Sequence, residues 1–241
     1  KVAVGHDAVL RVRASTGLRP RHVFQPSGGD EVAGASGVLA LPTVDRHSAF
    51  ALELSHEPKT PLYVRGGCAF LQSVLLFSAN GERRIRVLTR PLQVVEQLPQ
   101  LAHSIHLPSC LALQAKQAAA SLAKKPAKEV GEALQSDAVA SLSAQRELLP
   151  PPFQKVADAM FFAAPLALLP LFTLALVRLP ALQPLSAQGP ITPDATAAQL
   201  LALRLLPPHL AVRLLMPRLH VLHLRSEGDG FLPAPAPPPP P

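Results

Sequence analysis

Three arginines, Arg83, Arg84 and Arg86, stand in the run FLQSVLLFSANGERRIRVLTRPL, residues 70–92, where every other signal describes a buried β-hairpin. On a strand, such guanidinium groups have two uses. They can lay their stems over apolar neighbours and pair with a carboxylate such as Glu82 or Glu53, or they can offer forked donors to an acidic partner. Other chemistry-bearing residues are sparse. His103 and His106, and again His220 and His223, have the i, i+3 spacing that sets two imidazoles on one helical face. Neither pair comes with a third or fourth ligand, so surface or capping roles are expected and no metal site is. No Ser, His and Asp lie in a nucleophile-elbow context. The glycines of SGGDEVAGASG, residues 27–37, are followed by no Walker lysine, which argues against a phosphate loop. The only cysteines, Cys68 and Cys110, are too few for a disulfide framework and lack C-x-x-C spacing, so a reducing compartment is the simpler inference. Neither a reaction centre nor a cofactor is expected: the chain reads as non-enzymatic.

Charge narrows the partner. A formal net charge of +7 and a pI near 10.0 suit a phospholipid surface, a nucleic acid or an acidic protein. With one Tyr and no Trp, the stacking aromatics that grip single strands are missing. A basic β-module that binds nucleic-acid phosphates through Arg11, Arg13, Arg84 and Arg86 is an alternative; the same surface suits anionic lipid headgroups. The opening residues KVAVGHDAVLRVRAS have no apolar core of signal-peptide length, so secretion is not indicated. They also begin without Met, as a fragment would.

The elements that must position the arginines come next. From Val9 to about Leu98 the pattern is strand-like: VLRVRAS alternates valine with arginine, AFALEL follows, and then the hairpin, with Gly- and Pro-containing loops between. Asn80-Gly81 predicts a two-residue type I′ turn, because both central positions need positive φ and these residues tolerate it best. The turn fixes the register: Ser78 faces Arg83, Phe77 faces Arg84, Leu76 faces Ile85, Leu75 faces Arg86 and Val74 faces Val87. Leu76, Val74, Ile85 and Val87 then share one apolar face. Arg84 and Arg86 share the other, beside Leu75 and Phe77, from which their guanidinium groups can point outward.

After Leu98 the texture turns helical. CLALQAKQAAASLAKK is a strong helix former, and Val130, Leu134, Ala138 and Leu142 fall on one stripe of the next segment, with Pro126 near its start. TPDATAAQLLALRLL predicts a further helix capped by Thr192 or Asp194 with Pro193 in its first turn. Ala159 to Val177 is nineteen residues without a charge, long enough for a membrane span, so an integral membrane protein with one span at 159–177 is a second alternative. Pro165 and Pro170 break the run and favour a buried core helix. The tail FLPAPAPPPPP predicts polyproline II.

Several stretches, taken in order and spacing, resemble a known family. VLRVRASTGL, LPTVDRHSAFALEL, LQSVLLFSANGERRIRVLT, DAVASLSAQR, LLPLFTLALVR and LLMPRLHVLHL are similar to the cargo-adaptor subunit of the COPII inner coat, the Sec-twenty-four family. The hairpin motif alone is shared with the GTPase-activating sister subunit; LLPLFTLALVR and RVRASTGL have the adaptor form. The resemblance covers roughly residues 7–235. It implies a mixed β plus α fold, an antiparallel β-sandwich portion followed by an all-α helical domain. Its boundaries would be 1–98 for the C-terminal part of the sandwich, 99–216 for the helical domain and 217–241 for a connector with a Pro-rich tail. It implies a cytoplasmic coat component, peripheral on the endoplasmic reticulum membrane, that selects cargo and shapes membrane in transport to the Golgi. Its partners would be the sister subunit, a membrane-bound small GTPase, cargo tails and an anionic membrane surface, with no nucleic acid. The family's zinc ribbon, trunk and gelsolin-like domain are not in this sequence, so no cofactor is expected here. The sandwich is expected to be incomplete, with an exposed edge prone to aggregation. Arg83, Arg84 and Arg86 are then expected to contact either the membrane or the neighbouring helical domain.

Overall fold

A computed structural model of the chain describes residues 4–25, 37–146, 164–183 and 193–216. Six strands come first: β1 (Val4–Ala14), β2 (Leu18–Phe24), β3 (Val38–Asp45), β4 (Ala51–His56), β5 (Cys68–Ala79) and β6 (Glu82–Gln93). They form two antiparallel sheets, one ordered β3-β1-β5-β6 and the other β2-β4. Ala8, Leu10, Leu39 and Leu41 on the first sheet meet Val23 and Leu52 on the second, which makes a small sandwich core.

Two of these strands carry no clear signal in the sequence. Both β2 and β3 contain a proline, Pro20 and Pro42, and proline interrupts the alternation that identifies a strand. Each lies where the missing N–H is tolerated, β3 on a sheet edge and β2 in a two-stranded ribbon. The tight link between β1 and β2 needs Gly17: its φ is +91°, and a Cβ there would lie 2.7 Å from the Leu62 backbone.

The helical body follows: α1 (Leu98–His103), α2 (Leu107–Ser121), α3 (Ala127–Arg146), α4 (Leu169–Val177), α5 (Pro193–Leu205) and α6 (Pro208–Leu215), with single 3₁₀ turns at Ala164–Leu166 and Pro180–Leu182. Val130, Leu134 and Ala138 are buried as their stripe predicts, and Leu142 is half-buried. Helix α2 is central and touches α3, α4, α5 and α6. Leu111, Leu176, Leu203 and Leu215 are fully buried in the shared core, each worth about 2 kcal/mol of burial.

Helix α4 decides the membrane alternative. It is nine residues long, and Leu169, Phe172, Ala175, Leu176 and Val177 are buried against α3 and its neighbours. No helix among the described residues is long and apolar enough to cross a membrane. The proline-broken run therefore supplies core to the helical body, and residues 159–163 lie outside the described residues. So do His220, His223, the glycine-rich loop up to Ser36 and the Pro-rich tail.

Candidate functional site

The hairpin forms with the register that Asn80-Gly81 dictates. Both turn residues have positive φ, 54° and 78°, and Ser78↔Arg83, Phe77↔Arg84, Leu76↔Ile85, Leu75↔Arg86 and Val74↔Val87 are the observed pairs. Its burial differs from the expectation of a buried hairpin. Strand β6 is the free edge of its sheet among the described residues, and all its residues but Leu92 are exposed. The faces are also reversed in role. Leu75 and Phe77, with Arg84 and Arg86 opposite them, lie on the face that continues the sandwich core, whereas Ile85 and Val87 point away and are 63% and 58% exposed. Alternation alone shows two faces; it does not show which one the second sheet covers.

The three arginines have three different environments. Arg83 is committed to the sheet: its Nη1 donates to the Asp7 carbonyl at 2.8 Å and to Ser78 Oγ at 2.9 Å. Asp7 sits in a bulge of β1, with φ 48° and a break in register between His6 and Val9, so Arg83 satisfies a carbonyl that the ladder leaves free. Arg84 Nη2 pairs with Glu82 Oε2 at 2.9 Å on the surface. Glu53, the other candidate partner, accepts instead from Gln117 Nε2 on α2. Arg86 lies beside Arg84 on the rim of a cavity of about 330 Å³, with no hydrogen bond or ion pair of its own among the described residues. Gly5, Val44, Leu75 and Phe77 line that cavity, and a Cβ on Gly5 would lie 2.6 Å from the Phe77 ring. Glycine thus lets the ring settle over β1. Asp45 and Arg46 close the far side. The Asp45 carboxylate is turned to the Ser48 hydroxyl at 2.9 Å and the His47 N–H at 2.9 Å. The Ser48 bond, with His47 in support, holds its pKa below the ordinary carboxylate value, so it stays ionised without engaging the arginines.

A second polar cluster joins the sheets to the helices, and nothing in the sequence reading singled it out. Lys116 is only 2% exposed, on the alanine-lined face of α2. Its ammonium donates to the Ala49 carbonyl at 3.1 Å and to the Arg204 carbonyl. Ala49 leads into β4, and Arg204 lies in the last turn of α5, where unpaired carbonyls and the helix dipole favour a cation. Burial pushes the lysine down to about 8. With Gln117 on Glu53 one residue along, α2 clamps the link before β4, β4 itself and the end of α5. The signal was available: Lys116 falls among Leu111, Ala112, Ala115 and Ala119, which form the buried stripe of that helix.

His103 ends α1 and His106 precedes α2, so a helix boundary separates the pair; His106 Nδ1 instead lies 2.9 Å from Ser109 Oγ in the first turn of α2. Among the described residues no three His, Cys, Asp or Glu side chains converge as metal ligands. Cys68 and Cys110 are free, and burial raises the Cys110 thiol, which disfavours its reactive thiolate.

Comparison with known proteins returns two consecutive domain matches: the Sec23/Sec24 beta-sandwich domain over residues 5–95 and the Sec23/Sec24 helical domain over residues 108–213. The Aspergillus clavatus protein transport protein sec24 is 32% identical over 230 residues, covering 94% of this chain and 24% of that protein. Protein transport protein SEC24 B of Arabidopsis thaliana is 31% identical over 174 residues, covering 72% and 15%. The chain thus spans about a quarter, or less, of the length of these relatives. The crystal structure of the human COPII-coat protein Sec24c superposes with a TM-score of 0.75 over 89% of this chain and 27% of that one, at 23% identity, which establishes a shared fold.

Proposed function

The chain belongs to the Sec23/Sec24 family, with Sec24 proteins as its relatives, and from that premise we propose that it is a structural adaptor of the COPII vesicle coat. It would be a rigid, non-catalytic part of the layer that selects cargo and shapes membrane between the endoplasmic reticulum and the Golgi. The observation that carries this reading is the order of the two domain matches, sandwich over residues 5–95 then helices over 108–213, together with 31–32% identity to proteins named sec24. The buried lysine clamp supports the structural part of it, because a scaffold needs its two units held in one relation. The basic charge suits an anionic membrane on its cytoplasmic side. In such a coat the chain would work beside the sister GTPase-activating subunit and a membrane-bound small GTPase, and would face cargo tails.

Because the chain spans a quarter of the Aspergillus clavatus relative, the test is a chimera in which this sequence replaces the matched segment of that protein. In cells depleted of the native subunit, the chimera is expected to restore growth and secretion. A stable, correctly localised chimera that restores neither would overturn the adaptor reading.

A further inference from the structure

We propose that Asn80-Gly81 is a self-modifying site: the Asn80 side chain closes a five-membered imide with the Gly81 nitrogen, and hydrolysis of that ring to aspartate and isoaspartate unlocks the hairpin. Asn80 is the only asparagine among the 241 residues, and a glycine follows it. That glycine serves the reaction as well as the turn. With no side chain on Gly81, and nothing within 4 Å of where its Cβ would stand, the nitrogen is open to approach. Both residues are exposed, and neither the Asn80 carboxamide nor the Gly81 N–H has a hydrogen bond among the described residues. The reacting groups are therefore adjacent, unengaged and in contact with water, at a hairpin tip, where local opening costs least.

The chemistry balances with water as its one co-reactant. The Gly81 nitrogen, on losing its proton, attacks Cγ of Asn80; a C–N bond forms, the carboxamide C–N bond breaks, and ammonia leaves with that proton. Asn80 shares a cavity rim with Arg84 and Arg86, whose positive charge favours the deprotonated nitrogen. Water then opens the imide, its hydroxyl going to a carbonyl carbon and its proton to the nitrogen. Opening at the side-chain carbonyl leaves aspartate; opening at the main-chain carbonyl routes the backbone through the side chain and inserts one methylene. Folding gates the attack. At the ψ of about +47° that accompanies a left-handed φ, the Gly81 nitrogen lies across the Cα–C bond from the Asn80 side chain, so closure waits for the turn to open. The isoaspartyl product cannot return, because a two-residue turn fixes every pair from Ala79↔Glu82 onward and has no place for an extra backbone atom. The dipeptide is thus a one-way timer on the hairpin. Its reaction is internal to the turn and needs no docking face.

The test ages the full chain at mildly alkaline pH, folded and in urea, and follows the tryptic peptide Gly66–Arg83 by mass spectrometry, with enzymatic isoaspartyl methylation to tell isoaspartate from aspartate. Conversion is expected in both samples, slower by at least about tenfold in the folded chain because the turn must first open. It is expected to quicken as pH rises and to be absent in Asn80→Gln, whose longer side chain cannot close the five-membered ring. No isoaspartate at position 80 of the folded chain would overturn the proposal. The separated isoaspartyl form is expected to unfold at lower denaturant than the fresh chain, whereas Asn80→Asp, which keeps the backbone intact, loses much less. Equal midpoints for the fresh and isoaspartyl chains would overturn the unlocking. No coat component enters these measurements, so their failure leaves the chimera result standing, and the reverse holds as well.

Discussion

Lys116 is the residue at which burial, charge and geometry meet. An ammonium group on the alanine face of α2 carries a desolvation cost, which is offset where it donates to the Ala49 and Arg204 carbonyls. Its pKa is pushed down to about 8 from the ordinary 10.5 by burial. Between those values the folded chain binds fewer protons than the unfolded chain, so this group makes stability rise with pH from about 8 to 10.5, and the gain is lost as pH falls through 8. Denaturant titrations at a series of pH values should show that rise in the wild-type chain and its absence in Lys116→Met. Equal pH slopes in the two proteins would show that the ammonium is solvated. The arginines, by contrast, drew attention in the sequence because charge inside an apolar run is conspicuous. Lysine inside a run of strong helix formers is not, and only its place on the buried stripe marks it out.

At the scale of elements, the hairpin was legible in full register because one dipeptide, Asn80-Gly81, fixes the turn type and the turn type fixes every pair. What periodicity left open was the covered face, which depends on where β2 and β4 lie, and Pro20 hides β2. The helices were easier to find, since the stripe of α3 and the proline breaks around α4 are local signals. The two glycine turns separate conformational from steric cost. At Gly81, φ is +78° and a Cβ would meet nothing within 4 Å, so Gly81→Ala should cost about 1 kcal/mol from the left-handed conformation alone. At Gly17 the same conformational cost is joined by the backbone of Leu62 at 2.7 Å. Gly17→Ala should therefore lower the denaturation midpoint clearly further than Gly81→Ala, as equilibrium unfolding by circular dichroism would measure. Equal losses would mean that the β1–β2 link moves aside.

For the whole molecule, the sequence indicated β then α but not how the two are joined. The joint is α2: its Lys116 and Gln117 reach the β3–β4 link and β4, while its other faces carry the helical core. The adaptor role we propose requires that joint to be stiff. The hydrogen bonds of Arg83 and Arg84 stay within the β unit. Rigidity is measurable directly by pulsed electron spin resonance between labels at Arg90→Cys on β6 and Lys128→Cys on α3, with Cys68 and Cys110 replaced by serine. A single narrow distance distribution that broadens in Lys116→Met is the predicted result. A broad or two-peaked distribution already present with Lys116 in place would contradict the account, because the sheet and the helical body would then be separate units on a hinge.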